Sequence, residues 1–75
     1  GIRVNGVAPG VVDAPGIDDN VPDWRARYSA RAPLGRFAKP EEIADACIYL
    51  ASDRSSFITG EIIQVSGGIL QAEAF

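Results

Sequence analysis

Histidine and methionine are absent from this sequence, and cysteine occurs once, as Cys47. Without an imidazole the commonest general base is excluded, and no set of Cys, His and carboxylate residues has metal-ligand spacing. A single cysteine cannot close an internal disulfide, which fits a reducing cytosol and gives a cytoplasmic expectation. Lys and Arg number 7 against 10 Asp and Glu, for a net charge of −3. With no basic tract, nucleic acid is not an expected partner. No apolar run approaches the roughly 20 residues that span a bilayer, and no signal peptide is recognisable, so no membrane is expected either. The glycines at 6, 10, 16, 35, 60, 67 and 68 never fall into G-x-G-x-x-G or G-x-x-x-G-x-G. A glycine-rich turn that brings backbone against a dinucleotide pyrophosphate is therefore missing.

What is present has globular character. Of 75 residues, 47% are hydrophobic and 23% charged, as in an ordinary folded domain. A chain of this length makes at most one small domain and buries only about 60% of its unfolded surface. The sequence opens directly on strand-like residues without a leader, which reads as a cut end.

Residues 35–68 carry the strongest local signals. Pro40 suits the first helical position, where its missing N–H has no intrahelical partner to lose. Glu41, Glu42 and Asp45 put negative charge in and near the first turn, where the helix dipole favours it. Ile43, Cys47, Leu50 and Ala51 recur at helical spacing, widened by Ala44 and Ile48, so residues 40–51 are expected to be a helix. On that apolar face Cys47 reads as a small core residue; nothing nearby would make its thiol reactive. Ser52, Asp53, Ser55, Ser56 and Gly60 supply turn chemistry. Residues 61–65 then form a short strand closed by Gly67 and Gly68, with Gln64 suited to an edge or an interface. The stretch is half of an α/β unit.

Upstream, Ile2, Val4, Val7 and Ala8 give residues 1–8 the near-continuous apolar character of a strand covered on both faces. Arg3 and Asn5 interrupt it at the entry end. Pro9 and Gly10 end the pairing, since proline lacks a donor and glycine allows unusual dihedrals. Pro15, Gly16, Asp18, Asp19, Asn20 and Pro22 compose a loop. Residues 23–32 read as a short helix on which Trp24 and Tyr28, four apart, share a face. Arg25, Arg27 and Arg31 lie along it as a solvated face.

Residues 35–68 closely resemble the end of the classical short-chain dehydrogenase/reductases, R-x-x-x-P-E-E-I-A-x-x-x-x-x-L-A-S-D-x-S-S-x-I-T-G-x-x-x-x-V-x-G-G. Arg36, residues 40–44 and 50–53, Ser55, Ser56, residues 58–60, Val65, Gly67 and Gly68 match that pattern. Upstream, GIRVNGVAPG resembles the family's next-to-last strand and the Pro-Gly after it. The resemblance covers residues 1 to about 70. It implies an α/β fold: the C-terminal part of a Rossmann-type doubly wound parallel sheet, with two strands and about two helices, incomplete on its own. Residues 1–75 would then be one fragment of a single domain: strand 1–8, substrate lid 11–34, helix 40–51, last strand 61–65 and tail 69–75.

The same resemblance implies roles. Pro9 and Gly10 would lie at the C-terminal end of the sheet, where open α/β sheets hold ligands. Backbone of Val11 and Val12 would face the nicotinamide carboxamide of NAD or NADP. Ala14 stands where the family usually has Thr, so a hydroxyl contact is missing. Trp24 and Tyr28 would either line the substrate pocket or pin their helix to the body. The family's catalytic Tyr-x-x-x-Lys pair is absent: Ala32 follows Tyr28 by four residues and Asp53 follows Tyr49. These residues hold a lid, one cofactor edge and a packing surface, but no catalytic residue and no metal site.

Two strands and two helices leave the first strand in need of cover, because an apolar strand with a free edge invites aggregation. Its partner is either the remaining part of an enzyme or another copy of this chain. Two functions follow. One is a portion of an alcohol/carbonyl oxidoreductase using NAD or NADP, with the helix at 40–51 and the last strand in a homo-oligomer interface. The other is a non-catalytic, self-associating module with no dinucleotide binding. On either reading this chain alone binds no cofactor. The apolar tail at 69–75 ends on Phe75, which would fasten a neighbouring subunit or fray.

Overall fold

A computed structural model describes residues 1–16 and 23–69. Strand β1 (Gly6–Pro9) is followed by helix α1 (Trp24–Arg31), helix α2 (Pro40–Ala51), a 3-10 turn (Asp53–Ser55) and strand β2 (Ile62–Val65). The two strands pair in parallel, with Gly6 opposite Ile62 and Pro9 opposite Val65. A parallel pair requires a crossover, and α2 lies in it. This is a partial α/β Rossmann-type sheet, as the sequence predicts. Residues 17–22, expected to be loop, and residues 70–75 of the expected tail, including Phe75, lie outside the described residues.

The boundaries of β1 differ from expectation at both ends. Residues 1–5 do not join the ladder. Instead, Val4 N–H donates to the Thr59 hydroxyl, Gly60 N–H donates to Val4 C=O, and Asn5 bonds both Ile58 C=O and Glu61 N–H. At the other end Pro9 is inside the strand. In this parallel register the donor the ladder needs belongs to the next residue, and Gly10 N–H supplies it to Val65 C=O at 3.0 Å. The missing proline N–H therefore leaves no gap.

α2 keeps its predicted bounds because both ends are locally determined. At its start the Glu42 carboxylate accepts from Lys39 N–H at 2.7 Å and receives both arms of the Arg36 guanidinium at 2.7 and 2.8 Å. That hydrogen-bonded guanidinium, with the Lys39 N–H, lowers the Glu42 carboxyl from its ordinary 4.5 to about 2. At its end, Arg3 donates to the carbonyls of Leu50, Ser52, Ser55 and Ile58 and to the Ser55 hydroxyl, at 2.9–3.2 Å. Carbonyls at a helix C-terminus lack intrahelical donors, and one fixed fork of five N–H groups serves them here. Ser55, 1% exposed, fills the space between.

The buried apolar residues among those described are Ala32, Phe37, Leu50 and Ile69. Much larger apolar area faces outward, including Ile48 at 65% and Ile62 at 72% exposure. Cys47 departs from the core role expected of it: it is exposed, in a groove lined by Arg3, Asn5, Val7, Leu50 and Ala51. No described residue covers that side of α2, so a residue on the helix's apolar face remains at the surface.

Candidate cofactor edge and lid

The candidate site forms where β1 leaves the sheet. Gly10 is tightly enclosed: a Cβ placed on it would come within 2.9 Å of Ser66 Cα and 3.0 Å of the Tyr28 hydroxyl. Only glycine fits there without displacing backbone. Beyond it, Val12 forms an isolated parallel bridge with Ala38. Ala38 N–H donates to Val11 C=O and Asp13 N–H donates to Ala38 C=O, both at 2.8 Å. This pattern turns the peptide groups of Val12 itself away from Ala38. Among the described residues, neither Val12 N–H nor Val12 C=O has a partner. A half-buried donor and acceptor side by side suit a group that both accepts and donates, such as a carboxamide. Ala14 is exposed and offers only a methyl group.

Trp24 and Tyr28 are brought together as their spacing predicts, with ring centroids 5.6 Å apart. Both rest on Phe37, at 5.5 and 5.0 Å, and Phe37 is 4% exposed. Such edge-on contacts suit aromatic quadrupoles. The Tyr28 hydroxyl accepts the Val11 N–H at 3.2 Å, across 17 positions. These contacts attach the helix to Phe37 and Val11, and both roles that the sequence leaves open for Trp24 and Tyr28 stand. Arg25 adds an ion pair to Asp13 at 2.9 Å and stacks its guanidinium 4.3 Å from the Phe37 ring centre. Of the arginines on this helix, at least Arg25 is more than a solvated face.

Phe37, Ala38 and Ser66 are the residues that sequence reasoning missed here. The signal for Phe37 was a bulky apolar side chain between Arg36 and Ala38 in a connecting segment. A hollow of about 100 Å³ also opens between Val11, Leu34, Arg36, Ala38, Val65 and Gly67, with room for only a few waters. Among the described residues no group of three His, Cys, Asp or Glu side chains could hold a metal ion, and no helix is long and apolar enough to cross a membrane.

Comparison with known proteins shows the family and the fold. The profile of the family described as enoyl-(acyl carrier protein) reductase matches residues 1–70. A cis-4-hydroxycyclohexanecarboxylate dehydrogenase of Sinomonas cyclohexanicum is 53% identical over 68 residues, covering 91% of this chain and 27% of the relative. The 3-oxoacyl-(acyl-carrier-protein) reductase FabG of Thermotoga maritima is 49% identical over 71 residues, covering 92% and 28%. Among solved structures, a short-chain glucose/ribitol dehydrogenase from Brucella melitensis superimposes with a TM-score of 0.81 at 43% identity, covering 89% of this chain and 27% of that one. A 3-oxoacyl-(acyl-carrier protein) reductase from the same species gives 0.83 at 37% identity, covering 89% and 25%. This chain thus spans little more than a quarter of the length of the curated relatives named here. The family match over residues 1–70, with these relatives and structures, shows that the chain belongs to the short-chain dehydrogenase/reductase family of oxidoreductases.

Proposed function

We propose that these residues supply one edge of the nicotinamide site, the substrate lid and an oligomer-forming face of an NAD- or NADP-dependent oxidoreductase that interconverts an alcohol and a carbonyl. The observation that carries this reading is the open donor and acceptor pair of Val12 at the C-terminal end of a parallel sheet, where such sheets bind ligands. Pro9 and Gly10 aim the chain toward that end, Val11 and Val12 present backbone to the carboxamide, and Ala14 leaves the usual side-chain contact unmade. α1, with Trp24 and Tyr28, covers the substrate side. When bound, the nicotinamide accepts or returns the hydride.

Proton transfer belongs to residues other than these. Neither Tyr28 nor Tyr49 has a Lys four positions on, so the Gly-rich turn and the Tyr/Lys pair must come from elsewhere in the assembly. α2 and β2, with Ile48 and Ile62 exposed, are the face for a second copy or for the remaining part of the enzyme.

The test is the intact mass of the native species, under denaturing and then native conditions, followed by titration with NADH and NADPH. A species that carries the Gly-rich turn and the Tyr/Lys pair, and that binds one of the two dinucleotides, is expected. A self-associated 7.9 kDa chain that binds neither would overturn the reading in favour of the non-catalytic module.

A further inference from the structure

We propose that α1 is the device that positions the Val12 peptide for its ligand, with Tyr28 and Arg25 as positioning residues; this rests on the function proposed above. An open donor and acceptor pair recognises a ligand well only if the chain on both sides is fixed before binding, because ordering it during binding costs affinity. Here each neighbour of Val12 is held twice. On one side Ala38 bonds Val11 C=O and Asp13 N–H, both at 2.8 Å. On the other side α1 reaches the same two residues. Tyr28 takes the Val11 N–H at 3.2 Å, and Arg25 takes the Asp13 carboxylate at 2.9 Å.

Arg25 and Tyr28 are three apart and share one face of the helix. That face sits on Phe37, whose ring lies 5.0 Å from the Tyr28 ring and 4.3 Å from the Arg25 guanidinium carbon. Phe37 immediately precedes Ala38, so one short segment carries both the seat of α1 and the backbone that bridges Val12. The helix has no side-chain cap and no buried residue of its own, and these contacts are part of what attaches it. Undocking α1 therefore releases one tether on each side of Val12. By linkage, a ligand that uses the Val12 peptide favours the docked helix to the same degree that the docked helix favours the ligand. Lid closure and dinucleotide binding become one equilibrium.

The experiment compares wild type, Tyr28→Phe and Arg25→Gln in the native species that carries the whole chain. Amide exchange at Val11 is read without cofactor, and dissociation constants are read for NADH and NADPH. Tyr28→Phe keeps the ring on Phe37 and loses only the acceptor. It is expected to speed Val11 exchange about tenfold and to weaken the preferred dinucleotide about three- to tenfold, with the cofactor KM rising by more than kcat falls. Arg25→Gln removes an exposed pair and is expected to weaken binding about twofold, a difference that fades in about 0.5 M salt. Protection of the α2 amides separates loop release from unfolding, and exposed Arg25 provides a second variant should Tyr28→Phe fold poorly.

Unchanged Val11 exchange in Tyr28→Phe overturns the positioning role. Faster exchange with unchanged dinucleotide affinity overturns it too, since the bond would then serve the loop and not the ligand. A wild type that binds neither dinucleotide overturns instead the function on which the proposal rests.

Discussion

α2 packs against the two strands, whereas α1 rests on Phe37 and the chain leaving β1, and the two are held by different physics. α2 is 12 residues long, begins on Pro40 with Glu42 closing its first turn, and ends with its carbonyls on a guanidinium from the start of the chain. Its attachment is a set of charge-assisted hydrogen bonds, each directional and strong. α1 is 8 residues long, lacks a side-chain cap, and is preceded by Asp23 in the left-handed region at φ 65°. Among the described residues its contacts include the rings on Phe37, the Tyr28 hydroxyl and an exposed Arg25–Asp13 ion pair. Ring contacts tolerate sliding in a way that a saturated guanidinium does not. On the function proposed above, α2 would be the scaffold and α1 the lid.

The largest break in that contrast should come from Arg3→Ala. It removes the charged donor shared by the carbonyls of Leu50, Ser52, Ser55 and Ile58 and leaves each with neutral donors alone, and about 4 kcal/mol of unfolding free energy is expected to be lost in urea titration. Phe37→Ala should follow, at about 3 kcal/mol. Its signature is regional: Trp24 fluorescence and α1 amide protection are lost first, while α2 amides keep theirs until global unfolding. Gly10→Ala comes next, at about 2 kcal/mol, because its methyl meets Ser66 Cα at 2.9 Å. It should also free the Val11 amide, which exchange would detect, and normal protection there would refute the crowding.

The smallest effect is the acid response of α2. The Glu42 carboxyl is lowered from 4.5 to about 2, first by the Arg36 hydrogen bonds and then by Lys39 N–H. A depressed folded-state value means the stabilisation is present above about 4.5 and is lost as pH falls toward 2. Because both side chains are exposed, the loss should appear as fraying of the first turn of α2 and not as unfolding. Arg36→Gln should narrow the pH window of that fraying, which helical amide exchange between pH 5 and pH 2 (about that range) would reveal. An unchanged window would remove Arg36 as the cause.

The same contrast explains what could be read in the sequence. α2 was legible to the residue, because Pro40, Glu41 and Glu42 open it and Ser52 closes it within a few positions. α1 was legible as a helix over residues 23–32 and is observed as Trp24–Arg31, since Trp24 and Tyr28 reveal a face. Its attachment was not legible: Tyr28 meets Val11 across 17 positions, and no local pattern encodes a hydroxyl meeting a distant backbone N–H. Pro9 and Gly10 were read as the end of β1. The ladder runs through Pro9 because a parallel register asks the donor of Gly10 instead. Cys47 was placed in a core because helical spacing reports a face, not the presence of anything to cover it. Val12 was singled out through a family resemblance. That its peptide is open on one side follows only from the bridge to Ala38.

The Arg3 bonds also constrain the order in which this chain can fold. Their acceptors lie 47 to 55 positions further along, and the strand register likewise joins Gly6 to Ile62. Contacts of such separation demand loop closure before they return any free energy. α2 can form early from its own signals, but its last carbonyls wait for the other end of the chain to arrive. Among these residues the Arg3 segment is thus expected to find its place late, and a late closing step is the kinetic cost of tying a helix end to so distant a residue.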